Sequence, residues 1–156
     1  MKITPIKQRD EIACGPASIQ MVLDYFKLPY SWGQIAEISQ YKKKDGLCNV
    51  DLVNTLKVLK LNVKEKANSK WEDLLNLNTL NNVIIVSWMK LGYKGHFSVV
   101  EQVNKDSIEL ADPDNGKIVK IDKIKFMCLW MDYDGMWYPA RNTDIQLRWM
   151  CIVSLK

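Results

Sequence analysis

Hydrophobic residues recur at helical spacing in the first half of the chain and gather into short runs in the second. Ala17, Met21, Val22 and Phe26 define one apolar face, so a helix is expected from about Cys14, with Pro16 in its first turn and Pro29 beyond its end. Ser31 and Gln34 have the spacing of a capping box and open a short helix through Ile38. Asp45-Gly46 marks a turn. A third helix is expected from about Asn49 to Leu59, with Val50, Val53, Leu56 and Leu59 turned inward. Leu61 to Lys66 alternates like a strand. Ser69 and Glu72 read as a second capping box, for a helix bearing Trp71, Leu74 and Leu75.

The pattern then changes. Val83-Ile84-Ile85-Val86-Ser87-Trp88 is a β-branched run without alternation, the mark of a central strand buried on both faces. Phe97 to Val103 and Ser107 to Leu110 flank the polar turn Asn104-Lys105-Asp106 and predict a hairpin. Asp114-Asn115-Gly116 turns the chain into a strand from Lys117 to Ile121. Asp122 caps a short helix through Leu129, and Trp149 to Leu155 forms a last strand. Helices come first and antiparallel strands later, which predicts an α+β fold: an N-terminal helical lobe packed on a C-terminal antiparallel sheet, in a single domain over residues 1–156.

Composition narrows the function. A chain of 156 residues, 47% hydrophobic and 26% charged, can bury a real core. The net charge of +4 is spread thinly, apart from Lys42-Lys43-Lys44, which reads as a solvated loop; no nucleic-acid partner is expected. The N-terminus does not look like a signal peptide and no apolar run is long enough to span a bilayer, so a cytoplasmic setting is expected. Cys14, Cys48, Cys128 and Cys151 are widely spaced, and with one histidine they match neither a disulfide framework nor a zinc site. No metal or other cofactor is expected. Asp132-Tyr133-Asp134-Gly135 lacks the ligand count of a calcium loop.

The chemistry converges on Cys14. A thiol at a helix start meets the positive end of the helix dipole and unpaired backbone N–H groups, a setting that favours the nucleophilic thiolate. The only histidine, His96, follows Gly95 at the head of one hairpin strand, and Asp112 ends the other. Antiparallel partners swap ends, so Asp112 is expected beside His96, fixing its tautomer and leaving one ring nitrogen for Cys14. Gly95 leaves room for close approach of a substrate backbone, Trp88 and Phe97 are candidates to flank the site, and Trp137 is a further candidate to line a groove. The Cys14 backbone N–H and the side-chain amide of Gln8 are candidate oxyanion donors. Each residue has a plainer reading alone: cysteine as a small buried hydrophobe, histidine as a satisfied core residue, Asp112 as a turn former before Pro113, Gln8 as a surface residue, Trp88, Trp130, Trp137 and Trp149 as core. Together they favour nucleophilic catalysis.

Gln8 with Cys14-Gly15-Pro16, then the Gly46-Leu47 turn, Gly95-His96-Phe97 and Asp112-Pro113 with Gly116 resemble the peptidase C39 family of papain-like bacteriocin-processing cysteine peptidases. The resemblance spans essentially the whole chain. It implies a papain-like fold, with Cys14 as nucleophile, His96 as base and acid, Asp112 as orienter and Gln8 in the oxyanion hole. It also implies a peptide or protein substrate cut after a small residue, often a Gly-Gly pair ending a leader. In bacteriocin export such a domain usually precedes a membrane-spanning transporter. No Walker motif or span stands in this sequence, so any transporter is expected as a separate partner. The same site would serve an amidase, transpeptidase or isopeptidase, and a non-catalytic leader-binding module is the remaining alternative. Trp130 to Arg148 matches no part of the family pattern.

Overall fold

The computed structural model describes residues 2–91, 94–133 and 138–156. Three helices lead: α1 (Cys14–Tyr25), α2 (Trp32–Ser39) and α3 (Asn49–Val58), with a 3-10 turn at Tyr41–Lys44 between the last two. After β1 (Asn62–Lys66) and α4 (Trp71–Leu77) come β2 (Val83–Lys90), β3 (Lys94–Val103), β4 (Ser107–Asp112) and β5 (Lys117–Asp122). The chain ends with α5 (Lys123–Leu129), β6 (Met131–Tyr133), a 3-10 turn at Asn142–Asp144, β7 (Ile145–Leu147) and β8 (Met150–Ser154).

Several ends form as their residues dictate. Ser31 and Gln34 make the full capping box of α2, and the Asp122 carboxylate accepts the Lys125 N–H to open α5. Asp45 and Gly46 both take positive φ, at 55° and 109°, in the turn before α3. Lys42 to Lys44 are exposed, as expected of a solvated run.

Six strands form one antiparallel sheet in the order β1-β8-β2-β3-β4-β5. Val83 and Ile85 of β2 point into a core shared with α1, α2 and α3, built on Ile19, Val22, Leu52 and Leu56. Ile84, Val86 and Trp88 point into a second core with Trp71, Phe126 and Trp130. Burial on both faces explains why β2 shows no polar alternation. The uncovered side of α3 gives one correction: Val50 is 60% exposed, and Leu52 takes the inward place assigned to it. The cap of α4 gives another. Ser69 turns its hydroxyl back to the Lys66 carbonyl, while Asp73 accepts the Lys70 N–H, so the helix opens one residue later than the Ser69–Glu72 spacing suggests. Leu75 is 39% exposed.

β6 and β7 form a separate hairpin that the sequence pattern does not announce. It is anchored at both strands: Asp132 of β6 accepts from the Ser87 hydroxyl of β2 at 2.5 Å, and the Asn49 amide of α3 donates to Gln146 of β7.

Candidate active site

Cys14 is the first residue of α1 and is half-buried. A Cβ on the adjoining Gly15 would lie 2.9 Å from Leu47 Cδ1, so Leu47, before α3, packs closely over this glycine. The chain leading to Cys14 is held by Asp10. Its carbonyl accepts the Gln8 side-chain Nε2 at 2.8 Å, and its carboxylate accepts the Ile12 N–H and the Tyr41 hydroxyl, at 3.2 and 2.8 Å. Burial and this bond to Asp10 push the Tyr41 hydroxyl up to about 12, so it stays a donor. The Gln8 amide nitrogen has two hydrogens, and the bond to Asp10 uses one.

His96 and Asp112 are both buried, at 4% and 2% exposed. The swapped strand ends bring them together: His96 Nε2 donates to Asp112 Oδ1 at 2.6 Å. Nδ1 is therefore the ring nitrogen not taken by Asp112, and the Cys14 thiol lies near enough to the imidazole to favour its charged form. Burial pulls the imidazole toward its neutral form, but Asp112 and Cys14 outweigh it and the pKa of His96 is raised. Burial works against the Asp112 carboxylate too, yet His96, the Asp114 N–H and Lys90 hold it below its ordinary range. The arrangement pairs a thiol with a cation-stabilised imidazole whose far nitrogen is locked.

The two aromatics are buried, and Gly95, itself exposed, lies under a carboxylate of the chain. A Cβ on Gly95 would lie 2.6 Å from Asp132 Oδ1, so the space over this glycine holds a carboxylate of the chain itself. Phe97 is 3% exposed and packs in the helix-side core against Trp149. Trp88 is 4% exposed, stacks edge-on to His96 with ring centroids 5.9 Å apart, and donates its indole N–H to Ser98 Oγ at 3.0 Å. Both aromatics back the site; they offer no surface to a ligand. Trp137, another candidate groove residue, and Asp134-Gly135 of the weighed metal loop lie outside the described residues. Trp130 and Trp149 are core, as expected. Among the described residues no cluster of His, Cys, Asp and Glu is placed to hold a metal ion, and no helix is long and apolar enough to cross a membrane.

Two charged groups were missed by sequence reasoning. Lys90 reaches Asp112 Oδ2 at 3.4 Å and Asp114 Oδ2 at 2.5 Å. Its signal was present: it is the one charge closing the apolar run Val83–Met89. Asp132 had no such signal, because nothing local says that its segment folds back over Gly95.

A cysteine-bearing helix lobe, set on an antiparallel sheet whose adjoining strands supply a histidine and an aspartate, is the architecture of papain-like peptidase domains. The chain belongs to the Peptidase C39 family, whose model matches residues 2–134. It is 30% identical over 124 residues to the transport/processing ATP-binding protein ComA of Streptococcus pneumoniae, covering 79% of this chain. It is 31% identical over 124 residues to the pediocin PA-1 transport/processing ATP-binding protein PedD of Pediococcus acidilactici, again 79% of this chain. The matches span 17% of the length of either relative. Among solved structures, the peptidase domain of Streptococcus ComA superposes with a TM-score of 0.76 at 20% identity, over 99% of this chain and 100% of that one. A double glycine motif protease from an AMS/PCAT transporter, in complex with its leader peptide, superposes with a TM-score of 0.74 at 22% identity, over 99% and 93%. These two likenesses establish the papain-like fold.

Proposed function

We propose that this protein is a cysteine peptidase that cuts a peptide bond after a small residue, through an acyl-enzyme on Cys14. The observation that carries the reading is the His96–Asp112 bond of 2.6 Å, with the Cys14 thiol near enough to favour the charged imidazole. The Cys14 sulfur attacks the carbonyl carbon, and the oxyanion is met by the Cys14 backbone N–H and the second hydrogen of Gln8 Nε2. Imidazolium His96 gives its Nδ1 proton to the departing amine, leaving a thioester. Neutral His96 then takes a proton from water as the oxygen attacks the thioester, and collapse of that intermediate returns the sulfur and frees the acid. Asp112 keeps Nδ1 aimed throughout.

Family membership and the solved double glycine motif protease in complex with the leader peptide support the substrate class. A leader ending in Gly-Gly is the proposed substrate, supplied by a peptide export system whose transporter is the proposed partner. The test incubates the protein with leader peptides ending in Gly-Gly, Ala-Ala or Lys-Arg and reads products by mass spectrometry, with Cys14→Ala as blank. Cleavage after Gly-Gly that Cys14→Ala abolishes is expected. Preferred cleavage after Lys-Arg would overturn the substrate reading, and cleavage surviving Cys14→Ala would overturn the mechanism.

A further inference from the structure

We propose that Lys90 is a positioning residue of the His96–Asp112 pair: its ammonium holds the second oxygen of Asp112, so that the imidazole shares the carboxylate with a permanent cation. This deepens the peptidase reading by assigning a role to a residue outside the Cys-His-Asp set. Lys90 closes β2, two residues beyond Trp88, and Trp88 is the register partner of His96 on β3. Its ammonium bridges Asp112 Oδ2 at 3.4 Å and Asp114 Oδ2 at 2.5 Å, while Asp112 Oδ1 takes His96 Nε2 at 2.6 Å and the Asp114 N–H at 3.0 Å. Both oxygens of a carboxylate that is 2% exposed are therefore occupied, one on each side.

The proposed cycle makes this division useful. His96 is cationic before it protonates the leaving amine and neutral before it deprotonates water. With His96 alone as partner, Asp112 would be a buried anion without a cation in each neutral interval, a costly state. Lys90 supplies a cation that never leaves. It also draws on the same charge that stabilises the imidazolium, and so keeps His96 from becoming too strong a base to release its proton to an amine. Asp114 steers the division, because it competes with Asp112 for the ammonium.

The charged groups around the pair come from each neighbouring element. β2 brings Lys90, α1 brings the Cys14 thiol, and the turn after β4 brings Asp114. β6 brings Asp132 against Gly95, and β5 brings Lys117, exposed and opposite Asp112 in register. Of these, Lys90 is the cation in contact with Asp112.

His96 is the only histidine in the chain, so its ring resonances are unambiguous. An NMR titration of the His96 Cε1–H signal needs no substrate, and it decides the proposal whether or not any peptide is cut. Lys90→Met should raise the titration midpoint by about half a pH unit, the effect of removing a unit charge roughly 6 Å away in a water-like medium. Lys90→Arg should restore the midpoint. Asp114→Asn, at an exposed side chain, should lower it. Circular dichroism checks that each variant is folded. If peptide cleavage is found, the alkaline limb of kcat/KM should move with the same signs. An unchanged or lowered midpoint in folded Lys90→Met, or one that Lys90→Arg fails to restore, overturns the proposal.

Discussion

The backbone N–H of Gln8 donates to the carbonyl of Pro113 at 2.7 Å, which ties the segment leading to the cysteine to the turn that carries Asp112. Gly116 permits the tie. It sits at φ 66°, and a Cβ there would lie 3.0 Å from the Lys7 backbone nitrogen. Segments far apart in the chain thus tie the proposed oxyanion donor to the turn that carries the histidine's orienter.

Gln8→Ala should lower kcat by about 10–10³-fold with little change in KM, because the amide is proposed to bind charge that exists only in the transition state. Gly116→Ala should lower kcat in the same direction by pushing Lys7 and Gln8 off the turn, and should also destabilise the fold. Steady-state kinetics on a Gly-Gly peptide separates the two parameters. An effect of Gln8→Ala confined to KM would reassign the amide to substrate binding.

Limiting iodoacetamide at pH 6 should label Cys14 first, followed by peptide mapping to identify the site. Cys151 is fully buried, and burial pushes its thiol well up. Cys48 is exposed, but partial burial and the Asp51 carboxylate to which it donates at 3.1 Å also raise its thiol, reducing its thiolate at this pH. Cys14 faces His96, which stays cationic to higher pH than a free imidazole. Labelling led by Cys48 or Cys128 would remove the basis for the nucleophile assignment.

The sequence was legible where physics is local. The Ser31–Gln34 box, the Asp122 cap, the Asp114–Gly116 turn and the unalternating run of β2 all formed as their residue types require. The meeting of His96 with Asp112 was legible too, because hairpin pairing makes a distant contact follow from a local turn. What failed depended on which neighbour covers a surface. Val50 and Leu75 have helical spacing but no element over them. Phe97 and Trp88 could not be told from groove walls until the two cores that bury them were seen. The role of Gly95 was the least legible, since the carboxylate that needs its space lies on β6, in a segment without periodicity.

The pair should support folding most strongly between about pH 4 and 6.5. Asp112 titrates below its ordinary value despite burial, so its contribution is complete above the unfolded value of about 3.9 and is lost as pH falls through the lower folded value. His96 titrates above its ordinary value despite burial, so its contribution is complete below about 6.5 and is lost as pH rises through the higher folded value. Thermal melts across this range should show the largest loss for Asp112→Asn inside that window. A loss independent of pH would mean that packing at Asp112, and not its charge, supports the fold.

Gly95→Ala should destabilise the protein through Asp132. The added methyl would stand 2.6 Å from Asp132 Oδ1, in a place where the carboxylate is fixed by the Ser87 hydroxyl and the Tyr133 N–H, at 2.5 and 2.8 Å. Either the β6–β7 hairpin lifts from the sheet, with its link from Gln146 to Asn49, or β3 shifts beside His96. Overpacking of this kind costs about 1–3 kcal/mol. Asp132→Ala alone should also destabilise, because it strands the buried Ser87 hydroxyl at a cost of about 1–3 kcal/mol. The double variant should be less destabilised than the sum of the singles, since each change removes the partner that makes the other harmful. Denaturant melts of the four proteins measure the coupling. If the effects simply add, Gly95 is not kept for Asp132, and its open face is free for the substrate backbone that its place beside His96 first suggested.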